Sequence, residues 1–212
     1  MNFLMLDTET TNSLDDPFCY DIGFAVINDN GKTLETASFV VADIFLDPAL
    51  MESAYFAEKI PTYWEEIKNG KRTLKTFKNI RKAVREVMRK YDIDIVIAHN
   101  CRFDYRSTNY TQRYLTSSKY RYFFPYGTHF CDTLKMARKV FGNNDDYKEF
   151  CYQNGYLTKR GCAQYTAEIL YRFLANDNDF IEEHMGLEDC LIEKDIFLAC
   201  LAEMPIEEGY LW

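Results

Sequence analysis

Two carboxylates placed directly after an apolar run near the start constrain this chain more than any other feature of its sequence. The run, Phe3-Leu4-Met5-Leu6, is typical of a buried β-strand, and Asp7 and Glu9 follow it. Because side chains on a strand alternate between its faces, both carboxylates project to the same side. Their mutual repulsion favours a cation between them, and the hard ions Mg²⁺ and Mn²⁺ take oxygen ligands. The alternative interpretation is a strand that ends in solvated charges.

Length and composition limit the classes of protein to consider. A chain of 212 residues with 47% hydrophobic and 27% charged residues is typical of a soluble globular protein, and we expect one domain over residues 1–212. The net charge of −8 predicts no general attraction to nucleic acid or to acidic membranes. Seven cysteines without a C-x-x-C pair indicate neither a zinc site nor a disulfide framework. A core strand opens the chain, and no apolar run approaches about 20 residues, so we expect no signal peptide, no membrane span and a cytoplasmic location.

The hydrophobic pattern predicts three early strands and then an alternation of helices and strands. Short connections make the first three strands antiparallel, whereas the strand at 93–98 follows a helix and is expected to be parallel to its neighbour. The fold class is therefore a mixed α/β sheet flanked by helices. The role of residues 42–70 stays open, apart from one helix. The predicted strands span 3–6, 19–27, 33–41, 93–98 and 130–132, and the predicted helices span 62–68, 73–90 (capped by Thr73), 103–117, 133–141, 145–154, 164–174 and 187–203.

Two further acids are expected at the edge of the sheet where ligands usually bind, the carboxyl ends of the strands. Asp104 follows the buried strand at 93–98. Asp189 begins the last helix, five residues after His184, and five helical residues rotate by about 500°, which leaves the two side chains about 140° apart. Both can reach one site only if His184 lies in the loop before the helix, and Gly186 makes such a bend easy. A solvated loop histidine is the alternative.

The three segments that contain Asp7 and Glu9, Asp104, and His184 and Asp189 resemble, in order and spacing, the three exonuclease motifs of the DEDDh (DnaQ-like) 3′→5′ exonucleases. That superfamily includes the proofreading subunit of the bacterial replicase, ribonuclease T and the animal three-prime repair exonucleases. One departure is Gly186, where the family usually has Ala, and another is the segment 42–70. The matching segments are Leu6-Asp7-Thr8-Glu9-Thr10-Thr11, Ala98-His99-Asn100-Cys101-Arg102-Phe103-Asp104, His184-Met185-Gly186-Leu187-Glu188-Asp189 and, for the family's Asp-Thr-Leu segment, Cys131-Asp132-Thr133-Leu134-Lys135-Met136-Ala137-Arg138.

The resemblance implies a ribonuclease H-like sheet and a two-metal hydrolase. Its substrate would be nucleic acid with a free 3′ end, preferably single-stranded and DNA rather than RNA, and its product a nucleoside 5′-monophosphate. His184 would be the general base. An exoribonuclease of the same chemistry is an alternative substrate class, and the oligomeric state stays open. The residues carried over as ligands of two Mg²⁺ or Mn²⁺ ions are Asp7, Glu9, Asp104 and Asp189.

Candidate substrate contacts are less sharply defined by the sequence. The backbone groups of Thr8 and Thr10 are candidates for the terminal sugar, and Asn100 for the terminal sugar or base. His99 and His129 are interpreted as structural. An aromatic and basic strip could stack bases and bind phosphates of a single strand, or could be an amphipathic helix with solvated cations. The strip comprises Tyr105, Arg106, Tyr110, Arg113, Tyr114, Lys119, Tyr120, Arg121 and Tyr122, with Lys159 and Arg160 as a second phosphate candidate.

Two rival functions can be weighed on the sequence. The order Asp7-x-Glu9-x-Thr11 echoes the nucleophile motif of haloacid-dehalogenase-type phosphotransferases, but that family has Asp at the second acidic position and a later acidic metal motif after a Lys, which this chain lacks. A non-catalytic or polymerase-associated binding module of the same fold is the other rival. Loss of a catalytic acid would favour it, whereas all four acids and the histidine are present.

Overall fold

The computed structural model of the protein describes residues 1–11, 15–117, 119 and 121–211. In this part of the chain, six strands form one mixed sheet. The strands are β1 (Asn2–Thr11), β2 (Phe18–Asn28), β3 (Thr33–Val41), β4 (Thr73–Lys75), β5 (Ile95–Ala98) and β6 (His129–Asp132). Their order is β4-β3-β2-β1-β5-β6, with antiparallel β1–β2 and β2–β3 pairs and parallel β3–β4, β1–β5 and β5–β6 pairs.

Helices cover both faces of this sheet, as the alternation along β1 shows. Leu4 and Leu6 belong to one buried cluster together with residues of β2, β3 and the helix at 77–90, whereas Phe3 and Met5 belong to a second cluster under the helix at 186–203. Within the described residues, no helix has the length and apolarity needed to cross a bilayer. The helices are α1 (Ala42–Phe45), α2 (Pro48–Met51), α3 (Ile60–Lys68), α4 (Phe77–Lys90), α5 (Arg102–Leu115), α6 (Thr133–Val140), α7 (Asp145–Gln153), α8 (Ala167–Ala175) and α9 (Gly186–Glu203).

The mixed sheet and its strand directions are those expected from the sequence, but two boundaries are corrected. The prediction that Thr73 caps a helix is wrong, because Thr73–Lys75 pairs in parallel with β3 and the helix begins at Phe77. The amide of Phe77 donates to Asp43 Oδ2 (2.6 Å), so the cap comes from α1 rather than from a neighbouring Thr. The first strand is also longer than the predicted span 3–6, because β1 continues through the acids to Thr11.

A close approach of β2 and α9 sets the position of the last helix. A Cβ atom added to Gly23 would lie 2.1 Å from Gly186 C and from Leu187 N, and one added to Gly186 would lie 2.7 Å from Gly23 N. Gly186 is therefore not the bend that the sequence suggested; it is the first helical residue, and the left-handed conformation belongs to His184 (φ 49°). The two glycines let the start of α9 pack against the backbone beside Asp7.

Candidate active site

The predicted acids of three separate elements meet at one cleft. Asp7 and Glu9 of β1, Asp189 of α9 and His184 line this cleft, whose volume is about 650 Å³. Asp7 and Glu9 share the face of β1 that packs under α9, as the strand alternation requires. Asp104 is buried beside them in the first turn of α5, near enough for its charge to raise the pKa of Asp7. The arrangement concentrates negative charge at the carboxyl edge of the sheet.

Local hydrogen bonds fix two of these carboxylates. The hydroxyl of Thr8, which faces away from the cleft, donates to Asp104 Oδ1 (2.9 Å) and thereby ties α5 to β1. Asp189 accepts a hydrogen bond from the amide of Met185 through Oδ2 (2.9 Å) at the start of α9. A carboxylate in the first turn of a helix is stabilised by the positive end of the helix dipole. Asp104 is thus held by a residue of β1, and Asp189 by the residue that precedes its own helix.

Burial and mutual repulsion raise the pKa of every predicted metal ligand. Burial is the largest cause in each case, and neighbouring acids add to it for all four. The pKa of Glu9 is raised to about 9, with Asp189 as its strongest repulsive neighbour, and that of Asp189 to about 8. The pKa of Asp104 rises to about 7, and that of Asp7 lies well above its usual value. Without a cation, the cluster therefore holds protons at neutral pH.

A fifth acid, Glu193, was missed in the sequence. It is buried in the wall of the cleft, accepts a hydrogen bond from the amide of His99 (3.1 Å) and is the strongest electrostatic cause of the raised pKa of Asp7. Its spacing of four residues from Asp189 places both on the same face of α9. That spacing is a signal that the sequence carries and that could have identified Glu193.

His184 lies at the rim of the cleft against an aromatic ring from residues 42–70. Its imidazole stacks on Phe56 (ring centroids 4.2 Å apart, planes at 11°), and Nδ1 lies 3.8 Å from Glu182 Oε2. Partial burial and the charge of Lys59 lower the pKa of His184, so the ring is neutral at pH 7. One donor atom each from Glu9, His184 and Asp189 lie within 4.8 Å of one another. The segment whose role the sequence left open therefore supplies Phe56 and Lys59 beside the acids.

A buried ion-pair network connects the same segment to the start of α9. The guanidinium of Arg72 is fully buried and pairs with Asp21, Glu66 and Glu188. Asp21 Oδ2 also accepts hydrogen bonds from Tyr63 Oη (2.7 Å) and from the first amide of α9 (3.0 Å). A buried guanidinium is stable only when its donors are satisfied. This network therefore fixes the end of α9 that carries Asp189.

The segment that resembles the Asp-Thr-Leu motif supports the loop after β5. Asp132 caps α6 and accepts a hydrogen bond from the amide of Asn100 (2.9 Å). His99 Nε2 lies 2.8 Å from the carbonyl oxygen of Tyr165, which can only accept, so Nε2 carries the proton, and Nδ1 lies 2.9 Å from Thr133 Oγ1. Burial lowers the pKa of His99, which keeps the ring neutral. These contacts give His99 a structural role in the wall of the cleft.

The predicted substrate contacts divide into two groups. Asn100 lines the cleft in a left-handed conformation (φ 65°), and the side chains of Thr8 and Thr10 are buried within β1. Three other predicted contacts, Arg106, Tyr110 and Arg113, lie along α5 and do not line the cleft. The guanidinium groups of the two arginines lie 5.7 and 6.0 Å from the centroid of the Tyr110 ring.

Tyr114 of the predicted strip and His129 both pack against aromatic rings. Tyr114 stacks on Phe18 (4.4 Å), and Tyr120 lies outside the described residues. His129 stacks on Tyr210 (5.5 Å) and does not line the cleft. Sequence reasoning missed a wall of the cleft built from α6 and the segment before α8. That wall consists of Leu134, Arg138, Thr158, Ala163, Gln164, Tyr165, Thr166 and Ala167.

The donor set fits a divalent cation. Among the described residues, no lysine or arginine forms an ion pair with Asp7, Glu9, Asp104 or Asp189, although burial makes their charges costly. Carboxylate oxygens are the ligands that Mg²⁺ and Mn²⁺ prefer. A bound cation would replace the protons that the raised pKa values retain. The residues present are therefore suited to hold such ions.

The raised pKa values predict how stability depends on pH and metal. A carboxyl group whose pKa is raised by folding stabilises the protein below its unfolded pKa, near 4, and loses this effect as pH rises through its folded pKa. In EDTA we therefore expect Tm to fall as the pH rises from about 4 through the raised pKa values of these acids, which are about 7 for Asp104, about 8 for Asp189 and about 9 for Glu9. Mn²⁺ at about 100 times its Kd adds about 2.7 kcal/mol to the free energy of unfolding, which raises Tm by about 5–10 °C.

The measurement is differential scanning fluorimetry at several pH values, with Mn²⁺ or EDTA. The increase in Tm caused by Mn²⁺ should be larger at pH 8 than at pH 5, because protons compete with the metal for the same oxygens. The Asp189→Asn variant is the control and should show a smaller increase. An increase that is equal at both pH values, or absent, would contradict a metal site built from these acids.

Comparisons with known proteins agree with this geometry at the level of fold. No protein-family model matches the chain, and no curated protein sequence does. Solved structures of exonucleases match it over almost its whole length. Exonuclease X in complex with 5′-overhanging duplex DNA is 16% identical, with a TM-score of 0.53 over 98% of this chain and 96% of that one.

Two other similar structures extend the comparison. The nuclease domain of 3′hExo, described as a DEDDh family member and bound to rAMP, is 13% identical with a TM-score of 0.64, covering 100% of this chain and 96% of that one. Exonuclease I of E. coli in complex with a dA16 oligonucleotide is 15% identical with a TM-score of 0.58, covering 95% of this chain and 40% of that one. The ribonuclease H-like mixed sheet predicted from the sequence is confirmed.

Proposed function

We propose that this protein is a metal-dependent 3′→5′ exonuclease. It hydrolyses the terminal phosphodiester bond of single-stranded nucleic acid, DNA in preference to RNA, and releases nucleoside 5′-monophosphates. The observation that carries the proposal is the meeting of Asp7, Glu9 and Asp189 with His184 at one cleft, next to buried Asp104. The similarity in fold to exonucleases solved with DNA or rAMP supports the same class of reaction.

The four carboxylates would hold two Mg²⁺ or Mn²⁺ ions, and Glu193, whose pKa burial raises well above its usual value, lines the same cleft. When bound, such ions stabilise the negative charge that develops on the scissile phosphate. The chain itself supplies the base: His184 is neutral at pH 7 and takes a proton from the attacking water. Glu182 Oε2 lies 3.8 Å from Nδ1, and burial raises the pKa of Glu182 to about 7. Above that pH its ionised form stabilises the protonated ring, and Nε2 is left to accept the proton. Phe56 holds the plane of the imidazole by stacking.

The cleft also favours a frayed or single-stranded end. Its acids repel phosphates, and Arg138 is the cation that lines its wall, beside the polar side chains of Thr158 and Gln164. A terminal nucleotide in this space must leave its neighbours in a duplex, which costs a few kcal/mol per step. Single strands are therefore expected to be cut faster than blunt duplexes.

A direct test compares three labelled substrates: single-stranded DNA, blunt duplex DNA and single-stranded RNA. Each is incubated with Mg²⁺, Mn²⁺ or EDTA, and released mononucleotides are measured. We expect release only with metal, fastest from single-stranded DNA. Faster release from RNA would reverse the assigned preference for DNA, and no release from any substrate would contradict the proposal.

We expect His184→Ala to lower the rate by about 10²–10⁴-fold, the usual contribution of general acid–base catalysis. The rate of the wild-type protein should rise with pH through the lowered pKa of His184, below 6.5, because only the neutral ring accepts a proton. With Mn²⁺ saturating at every pH, the variant should lose this acidic limb while keeping its increase in Tm with Mn²⁺. His129→Ala, which changes an exposed histidine that does not line the cleft, is the control. An unchanged acidic limb in His184→Ala would assign the base to another group.

A further inference from the structure

A second pocket lies between α4, the start of α5 and the segment before β6. Its volume is about 550 Å³, comparable to the cleft with the acids. Four of its lining residues are cationic and none is acidic, although the whole chain carries a net charge of −8. The lining residues are Arg81, Arg85, Tyr105, Lys119, Arg121, Tyr122, Phe124, Pro125, Tyr126, Gly127, Thr128 and Phe130.

Two arginines form the positive floor of this pocket. Arg81 and Arg85 are one helical turn apart on α4, and both donate to the carbonyl oxygens of Tyr122 and Phe123 at 2.8–3.2 Å. Arg85 also reaches the carbonyl oxygen of Phe124 (2.7 Å). These acceptors are neutral, so the hydrogen bonds orient the guanidinium groups without cancelling their charge. Removal from water and, for Arg85, the neighbouring Arg81 lower the pKa of the two groups, which a nearby anion would reverse.

Aromatic rings surround this positive floor. Tyr105 packs edge-on against Phe130 with ring centroids 5.0 Å apart, so its position is fixed. Tyr122 and Tyr126 are exposed, and Tyr126 projects fully into solvent. Tyrosine rings and guanidinium groups together are the surface on which single-stranded nucleic acid binds, because rings stack on bases and cations contact phosphates. A free phosphate ion would contact the cations but would leave the tyrosine rings without a stacking partner.

The second pocket is separate from the cleft with the acids. Asp104 and Tyr105 are consecutive on α5 but serve different sites, since Asp104 lies with Asp7 and Tyr105 lines the pocket. The pocket includes Thr128, before β6, whereas the cleft includes Asn100, after the parallel strand β5. The two sites therefore lie toward opposite ends of the strands, and no residue lines both.

We propose that the second pocket is a binding site for single-stranded nucleic acid outside the catalytic cleft. Arg81, Arg85 and Arg121 bind successive phosphates, and Tyr122 and Tyr126 stack on bases. This site holds the strand independently of hydrolysis. It also gives the aromatic and basic residues after α5 a role that the catalytic cleft does not require.

Fluorescence anisotropy with a 5′-labelled 15-nucleotide oligo-dT in EDTA tests the site directly. Without metal there is no hydrolysis, so the strand stays intact during the measurement. The Arg81→Gln/Arg85→Gln variant should bind about tenfold more weakly than the wild type. The slope of log K against log salt concentration should also become less negative by about 1.4, because each phosphate that is no longer neutralised accounts for about 0.7. The control is Lys82→Gln/Arg89→Gln, which removes the same charge from exposed positions of α4 that do not line the pocket.

Arg81 and Arg85 also hold the segment 122–124, so a second variant separates binding from folding. Arg121→Gln/Tyr126→Ala changes only exposed side chains and leaves the hydrogen bonds to α4 in place. It should also bind about tenfold more weakly, within the range that alanine substitution of a stacking ring produces. An abasic 15-mer should bind the wild-type protein more weakly than oligo-dT.

Three results would overturn the assignment. If both pocket variants bind like the control, the arginines only brace the segment 122–124. If the abasic strand binds as tightly as oligo-dT, the tyrosines do not contact bases. If Arg121→Gln/Tyr126→Ala, still folded by its Tm, binds like wild type, the site is not in this pocket. Failure of the proposed hydrolysis would not affect these readings, because anisotropy in EDTA measures binding alone.

Discussion

Asp7→Asn is expected to lower nucleotide release by about 10³-fold or more, because a catalytic metal contributes several kcal/mol and each 1.4 kcal/mol is a factor of ten. The protein should stay folded, since the amide has the size of the carboxylate and opens no cavity. Asp7 is also the acid whose pKa is raised by all of its acidic neighbours, Glu193 first. A carboxyl group whose pKa is raised by folding destabilises the protein at high pH, and an amide does not carry this cost, so Tm in EDTA at pH 8 should rise rather than fall.

Activity and Tm are measured on the same preparations of the wild type, Asp7→Asn and Asp94→Asn. Asp94 is an exposed carboxylate next to β5 and is the matched control, which should keep full activity. Asp189→Asn should behave like Asp7→Asn, because its remaining amide oxygen can still accept the hydrogen bond from Met185. Full activity of Asp7→Asn with Mg²⁺ would contradict the two-metal proposal.

Gly23→Ala is expected to have the largest effect on structure. The added methyl would lie 2.1 Å from backbone atoms of Gly186 and Leu187, which cannot rotate away as a side chain could. The start of α9 must move, and with it Asp189 and His184. We expect a loss of about 1–3 kcal/mol in the free energy of unfolding, the usual effect of overpacking. At a temperature where the variant is still folded, its turnover should nevertheless be lower than that of the wild type, because Asp189 and His184 are displaced.

Gly142→Ala is the matched control for Gly23→Ala. A Cβ atom there would meet only Tyr165 Oη at 3.5 Å, an ordinary contact. Urea unfolding and turnover are measured for both variants. Equal stability of Gly23→Ala and Gly142→Ala would show that α9 does not depend on the close approach of the two glycines. Gly186→Ala should destabilise less than Gly23→Ala, since its closest contact is 2.7 Å.

The sequence was sufficient where the signal is local or periodic. Asp7 and Glu9 follow from the alternation of side chains along β1, whose apolar residues divide between the two faces of the sheet. Glu193 follows from its spacing of one helical turn after Asp189, although that signal was not used. The position of Asp104 after a buried strand indicated the same edge of the sheet, whereas the proposed role of His184 as general base came from the resemblance of whole motifs.

The sequence was insufficient where distant residues decide the local structure. Thr73 has the pattern of a helix cap, but pairing with β3 and the cap supplied by Asp43 determine the result. Phe56 reaches His184 from an irregular segment whose pattern predicts no partner. Arginine is usually exposed, yet Arg72 is fully buried because carboxylates from three different elements surround it. Such contacts depend on packing that one sequence does not reveal.

The direction of digestion tests the central claim most directly. A single-stranded oligonucleotide labelled at its 5′ end is incubated with the protein and Mn²⁺, and the labelled products are separated by length over time. A 3′→5′ exonuclease that removes one nucleotide at a time produces a ladder of labelled strands that shortens stepwise, with Asp7→Asn leaving the strand intact. Immediate appearance of the labelled 5′ mononucleotide, or efficient cutting of a closed circular single strand, would contradict the proposal.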